Sequence, residues 1–178
     1  FTYISGVATL PFSSNIPHIV IKRDALATNV LTHEMGHYLG LYHTFGPNNA
    51  CQVQDELVNG TNCEYAGDRI CDTPASPCCS GVVDANCIYF GTKTDKNGES
   101  FTPDVSNFME YTLDKCRTNF TPEQILKMRY FASQYEKEST CYIDPSKYCD
   151  SYAKYTTKAW IDTVKINSFV NVSEGNTG

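Results

Sequence analysis

The chain has 178 residues, 41% of them hydrophobic, with 14 Lys plus Arg against 20 Asp plus Glu and a formal net charge of -6. That is enough apolar material for a packed core, and it suits one ordinary domain or a domain with a stub of another. No basic stripe points to nucleic acid, and no apolar run approaches the ~20 residues a membrane helix needs.

The first residue is Phe1 rather than Met, with no charged-then-apolar leader, so a signal peptide or pro-segment is expected to have been removed or to lie outside this sequence. Gly6-Val7-Ala8-Thr9-Leu10-Pro11 is a short β-like run that Pro11 ends or places at a sheet edge. His18-Ile19-Val20-Ile21 is a second one. Thr28 or Asn29 caps a helix through Val30, Leu31, Met35 and Leu39, and Gly40 suits its left-handed stop.

From Gly46 to Asp104 periodicity is weak, and Gly, Pro, Asn and Asp are frequent. So long an irregular stretch must be held by disulfides, ions or function. A second helix is predicted where Thr121 caps, Pro122 takes the first turn and Gln124 completes a capping box. Ile125, Leu126, Met128, Phe131 and Ala132 follow at helical spacing. Trp160 to Val172 is strand-like and reads as the start of a further β module.

Nine cysteines in this length favour an oxidising compartment, and no Cys-x-x-Cys pair supports a thiolate metal site. Nine is odd, so one thiol is free or has its partner elsewhere. Sequons at Asn59, Asn119 and Asn171 lend weak support to secretion and glycosylation.

The informative segment is His33-Glu34-Met35-Gly36-His37-Tyr38-Leu39-Gly40-Leu41-Tyr42-His43. His33 and His37 lie four apart, so on a helix both imidazoles face one way and can share a Zn²⁺. Gly40 lets the chain turn and bring His43 round as the third ligand. Three nitrogens leave one coordination position open, as catalytic rather than structural zinc requires. Glu34 points about 100° round the helix from His33, where it can act as general base on a water without being a ligand. Downstream, Met109 by itself reads as a core residue. With the histidine motif upstream it can lie beneath the metal in a tight turn. Tyr111 two residues later can offer its hydroxyl to a developing oxyanion, or merely pack in that turn.

These residues, taken with the run His33 to Phe45, Gly67-Asp68, Cys71-Asp72-Thr73-Pro74, Asn107 to Tyr111, Asp114, Cys116 and Phe120-Thr121-Pro122, resemble the pappalysin family of metzincin metalloproteases. The likeness spans about residues 6 to 135. It implies an α+β fold, metzincin-like. The upper lobe carries a twisted sheet and the active-site helix, and the lower lobe is irregular, disulfide-rich and closed by a C-terminal helix. Residues 1–150 are then the catalytic domain and 151–178 a tail. Family domains carry further strands before the rim strand, whereas this chain starts almost at that strand.

The resemblance further implies zinc-dependent endopeptidase activity on extended peptide, which would pair with the strand near Gly6 to Pro11. It implies cleavage before Arg or Lys through Asp114, and structural calcium near Asp68, Asp72 and Thr73. It also implies pairing of Cys71 with Cys87, and of Cys78 or Cys79 with Cys116; Cys51–Cys63 and Cys141–Cys149 follow from proximity alone. The alternatives are a protease-like binding or adhesion module that keeps zinc without turnover, and a disulfide-stapled structural domain without stoichiometric zinc.

Overall fold

The computed structural model describes residues 5–13, 18–47, 51, 55–138, 163–166 and 169–172. The chain divides into two compact units, Phe1–Ser139 and Thr140–Gly178.

The first unit opens with β1 (Gly6–Ala8) and β2 (Ile19–Ile21), antiparallel with Val7 opposite Val20. Their β-branched residues suit the pleat, and the Thr9 amide donates to the His18 carbonyl at 3.0 Å, extending the ladder. Both strands pack against α1 (Val30–Tyr38). The Thr28 hydroxyl accepts the Val30 amide at 3.2 Å, relieving one unpaired donor at the helix start.

Helix α1 ends as its glycine requires. Gly40 has φ 88°, its amide donates to the His37 carbonyl, and the Leu41 amide donates to the Gly36 carbonyl. This is a Schellman closure, and it turns the chain back beneath the helix it has just left. A side chain at Gly40 would also run into the ring of Phe131.

Between α1 and the second helix, no α-helix or strand of more than a bridge occurs among the described residues; the longest regular piece is the 3₁₀ turn Asp114–Cys116. Side chains take over the work of a ladder. The Asp84 Oδ1 accepts the amides of Asn86 and Ile88, and Asp104 Oδ1 accepts that of Ser106. Asp95 collects the amides of Asn97, Glu99 and Val58. Aspartates that mimic a turn in this way replace regular pairing.

Disulfides close the same stretch, with pairings that correct the sequence expectation. Cys51 joins Cys78, Cys63 joins Cys71 and Cys87 joins Cys116, at Cα separations of 5.2, 5.0 and 5.5 Å. The expected Cys71–Cys87, Cys51–Cys63 and Cys78/Cys79–Cys116 pairs do not form. The turns between Asn59 and Ser80 fold Cys63 back on Cys71, leaving Cys87 to reach Cys116. Cys79 is a buried free thiol. Cys141 and Cys149 lie outside the described residues.

Helix α2 (Pro122–Glu138) starts with the predicted capping box. The Thr121 amide donates to Gln124 Oε1 at 2.9 Å and the Gln124 amide donates to Thr121 Oγ1 at 3.3 Å. Leu41, Ile70 and Met109 form the buried apolar cluster, with Phe120 and Met128 against it. In the second unit β3 (Thr163–Ile166) and β4 (Phe169–Val172) form an antiparallel pair, inside the stretch predicted as strand-like. No described helix is long and apolar enough to cross a membrane.

Candidate functional site

Helix α1 presents His33 and His37, and the Schellman turn returns His43 to them. The Nε2 atoms of His37 and His43 lie 3.1 Å apart, and those of His43 and His33 3.3 Å apart. The helical offset explains the first pair and the left-handed Gly40 the third member.

The other ring nitrogens show what these three atoms can hold. His33 Nδ1 lies 2.7 Å from the Phe108 carbonyl and His37 Nδ1 lies 2.8 Å from the Leu41 carbonyl. A carbonyl only accepts, so both Nδ1 carry the proton and both Nε2 carry a lone pair. Burial lowers the pKa of all three imidazoles, that of His33 to about 3 and that of His43 to about 2, with neighbouring imidazoles adding to the effect in those two. They are therefore neutral. Lone pairs facing one another at hydrogen-bond distance repel, and a single proton on His43 Nε2 cannot satisfy both neighbours. A cation at their convergence satisfies all three. Among the described residues this is the cluster of metal-binding side chains, and its donor set fits a zinc ion.

Glu34 is buried at 5% exposure, and that burial pushes its pKa up to about 7, with the Arg117 charge pulling the other way. Met109 is fully buried, and its Sδ fills the space where a β-carbon on Gly36 would stand. Glycine inside the histidine motif is therefore required by the methionine turn, a link invisible to spacing alone. The turn also braces two ligands through its backbone: Phe108 holds His33, and the Met109 carbonyl accepts the amide of Thr44 beside His43 at 3.3 Å.

Tyr111 lies against this cluster, its ring edge-on to His43 at 4.5 Å and to Phe45 at 4.9 Å, with Phe45 stacked on His43. Burial and the Glu34 charge raise its hydroxyl pKa, which keeps it a donor.

Two carboxylates that sequence reading passed over organise the surroundings. Glu110 is fully buried. Its Oε2 accepts the hydroxyls of Thr44 at 2.6 Å and Ser76 at 2.5 Å, and its Oε1 accepts the amides of Cys79 at 3.1 Å and Tyr111 at 2.8 Å. One side chain thus ties the third-ligand loop, the methionine turn and the irregular stretch together. Nothing in sequence separates it from a surface acid except its neighbour Met109. Glu56 packs against Gly67 next to Asp68, and each carboxyl is raised, to about 8 and about 7, mainly by burial.

The expected calcium residues divide. Asp68 accepts the Thr73 hydroxyl at 2.9 Å, so these two lie together. Asp72 instead caps α2, accepting the Thr121 hydroxyl at 2.6 Å and the Glu123 amide at 2.8 Å. Asp114 does not stand free: its Oδ1 accepts the Asn29 amide at 2.8 Å and pairs with Arg117 at 2.9 Å.

Comparison with known proteins finds a metalloprotease family and its members. Residues 2–133 match the family model described as pregnancy-associated plasma protein-A, Peptidase_M43. An extracellular metalloprotease of Colletotrichum graminicola is 35% identical over 134 residues, covering 75% of this chain and 40% of the relative. One of Arthroderma gypseum is 34% identical over 98 residues, covering 55% of this chain and 27% of the relative. The chain thus spans less than half the length of these relatives. A solved structure of mirolysin in complex with a compound overlaps 76% of this chain and 49% of its own, with a TM-score of 0.45 and 25% identity.

Proposed function

The chain belongs to the pregnancy-associated plasma protein-A peptidases, the pappalysin family, and from that premise we propose that it is a secreted zinc endopeptidase hydrolysing peptide bonds of protein substrates. The observation that carries this reading is the convergence of three neutral imidazole Nε2 atoms, two of them with their Nδ1 protons held by backbone carbonyls. Secretion is supported by the cysteine load, by three disulfides and by relatives named as extracellular.

His33, His37 and His43 would hold the ion. Zn²⁺ bound there supplies a Lewis acid for the peptide carbonyl and brings a water's pKa from 15.7 toward about 7. Glu34 takes the proton of the attacking water and passes it to the leaving amine. Tyr111 donates its hydroxyl hydrogen to the oxyanion of the tetrahedral intermediate. Met109 shapes the floor and stays out of the reaction. Substrate lies extended along β1, whose edge away from β2 has no strand partner among the described residues.

Calcium belongs in the second position of this proposal. Asp68 and Thr73 supply hard oxygens, and Glu56 joins them in place of Asp72. The resemblance also assigns Asp114 as the counter-charge for a substrate Arg or Lys after the scissile bond. For that role its carboxylate must compete for a substrate cation against the protein's own Arg117.

The test is stoichiometric zinc after dialysis together with chelator-sensitive cleavage of a peptide library. Glu34→Ala is expected to keep the metal and lose about 10²–10⁴-fold in kcat. Bound zinc with no turnover of any peptide would leave the chain a binding module.

A further inference from the structure

Asn29 has an occupation that its place in the chain does not suggest. It stands immediately before α1, where an asparagine ordinarily caps its own helix with its side-chain oxygen. Here its side chain makes no capping bond, and the Thr28 hydroxyl accepts the Val30 amide instead. The Asn29 side chain reaches across to the 3₁₀ turn Asp114–Cys116. Its Nδ2 donates to the carbonyls of Asp114 at 2.8 Å and Arg117 at 3.0 Å, and its backbone amide donates to Asp114 Oδ1 at 2.8 Å. One residue thus fixes the acid's side chain, the start of the turn that carries it and the residue just past the turn's end.

The two oxygens of Asp114 are unequal. Oδ1 takes the Asn29 amide and, at 2.9 Å, the Arg117 guanidinium, which fills its two lone-pair positions. Oδ2 accepts no hydrogen bond among the described residues. The Asp114 side chain is 45% exposed, against 11% for Arg117. Arg117 is therefore a brace within the joint, and Oδ2 is its open acceptor. The joint borders the cutting site. Leu113 and Arg117, on either side of the turn, line a cavity of about 300 Å³ together with Tyr111, whose ring packs on His43.

We propose that Asn29 is a positioning residue for specificity: it anchors the turn and one oxygen of Asp114, so that Oδ2 meets the Arg or Lys side chain after the scissile bond. The inference rests on the reading of Asp114 as the counter-charge for that side chain. A carboxylate on an unanchored turn gives up part of its attraction in being ordered when the cation arrives, and prior fixing removes that cost. The gain falls on binding, because Asn29 touches none of the reacting groups. Asn29→Ala keeps the amide that meets Oδ1 and removes the two bonds that anchor the turn. Changing Arg117 would also disturb Glu34 and His33, where its charge is felt.

The experiment uses the zinc-loaded protein and peptides that differ only in the residue after one central bond, set to Arg, Lys or Leu. In Asn29→Ala the ratio of kcat/KM for Arg or Lys over Leu is expected to fall about three- to tenfold, through KM rather than kcat, with zinc content and circular dichroism unchanged. Asp114→Asn is expected to lower the ratio about tenfold or more. Asn29→Ala added to Asp114→Asn is expected to lower it no further, since the anchor acts through that acid. A loss of stability alone would slow all three peptides together and leave the ratio where it was. An unchanged ratio in a folded Asn29→Ala protein, a change carried by kcat, or a further fall in the double variant overturns the proposal while Asp114 keeps its role. No wild-type preference for Arg or Lys, or an unchanged ratio in Asp114→Asn, overturns the reading of Asp114 and the proposal with it. Should Asn29→Ala lose its circular dichroism, Asn29→Ser, which keeps one donor, goes through the same comparison. If no peptide is cut, the peptidase reading fails, and the same ratios are read as affinities by fluorescence anisotropy on the Glu34→Gln protein, with the same results for and against.

Discussion

The stretch from Val30 to Thr44 and the stretch from Asp55 to Asp104 support the same site by opposite means. In the first, backbone hydrogen bonds of α1 and its Schellman turn place the three histidines. In the second, hardly any backbone ladder exists, and carboxylates with disulfides fix the path. A helix positions a ligand through its period, so the information is local and repeated. An irregular segment has no period, and each position depends on one particular partner.

That contrast orders the expected effects. The largest loss of stability is expected for Glu110→Ala, which strands the Thr44 and Ser76 hydroxyls and two amides in the interior. At about 1–3 kcal/mol for each buried donor left unpaired, denaturant unfolding is expected to show more than about 3 kcal/mol of destabilisation. A cost below 1 kcal/mol would mean that the irregular stretch is not held by this side chain. Next comes Cys87→Ser with Cys116→Ser, which opens a bridge across a separation of 29 residues. A loss of about 2–4 kcal/mol is expected from the same measurement under non-reducing conditions.

Gly36→Ala probes the helical side of the comparison. Its methyl collides with Met109 Sδ, and about 1–3 kcal/mol of overpacking strain is expected together with weaker zinc binding in a chelator competition. An unchanged zinc affinity would show that the methionine turn does not set the ligand geometry. The smallest effect is expected where the irregular stretch meets the start of α2. Asp72→Ala removes the oxygens that accept from Thr121 and Glu123 and is expected to lower stability by about 1 kcal/mol in thermal unfolding.

The two regions were also unequally legible. The histidine offsets, the Gly40 stop and the Thr121–Gln124 capping box all rest on spacings within a few residues, and the structure has each of them. The disulfide pairing was not legible, because it depends on where coil returns to coil. Cys51, Cys78 and Cys87 even sit at φ of 47°, 65° and 62°, left-handed positions that residue type assigns to Gly or Asn. Asp72 read as a cation ligand because an exposed helix start and a metal both seek a carboxylate. Glu56 carried no signal and Glu110 only its place beside Met109, since burial is what distinguishes them and burial is not a property of their own sequence. Arg117 was readable in principle, three residues after Asp114 on one turn, but only as a surface pair.

The free thiol at Cys79 gives the protein a property of a different kind. It stands next in sequence to a bridged cysteine, where an ionised sulfur would attack the Cys51–Cys78 bond and scramble the set. Burial and the nearby Glu110 charge suppress that ionisation, so the native fold itself protects its crosslinks. Iodoacetamide capture at Cys79, followed by peptide mapping, would then time the opening of the interior rather than any event at the surface.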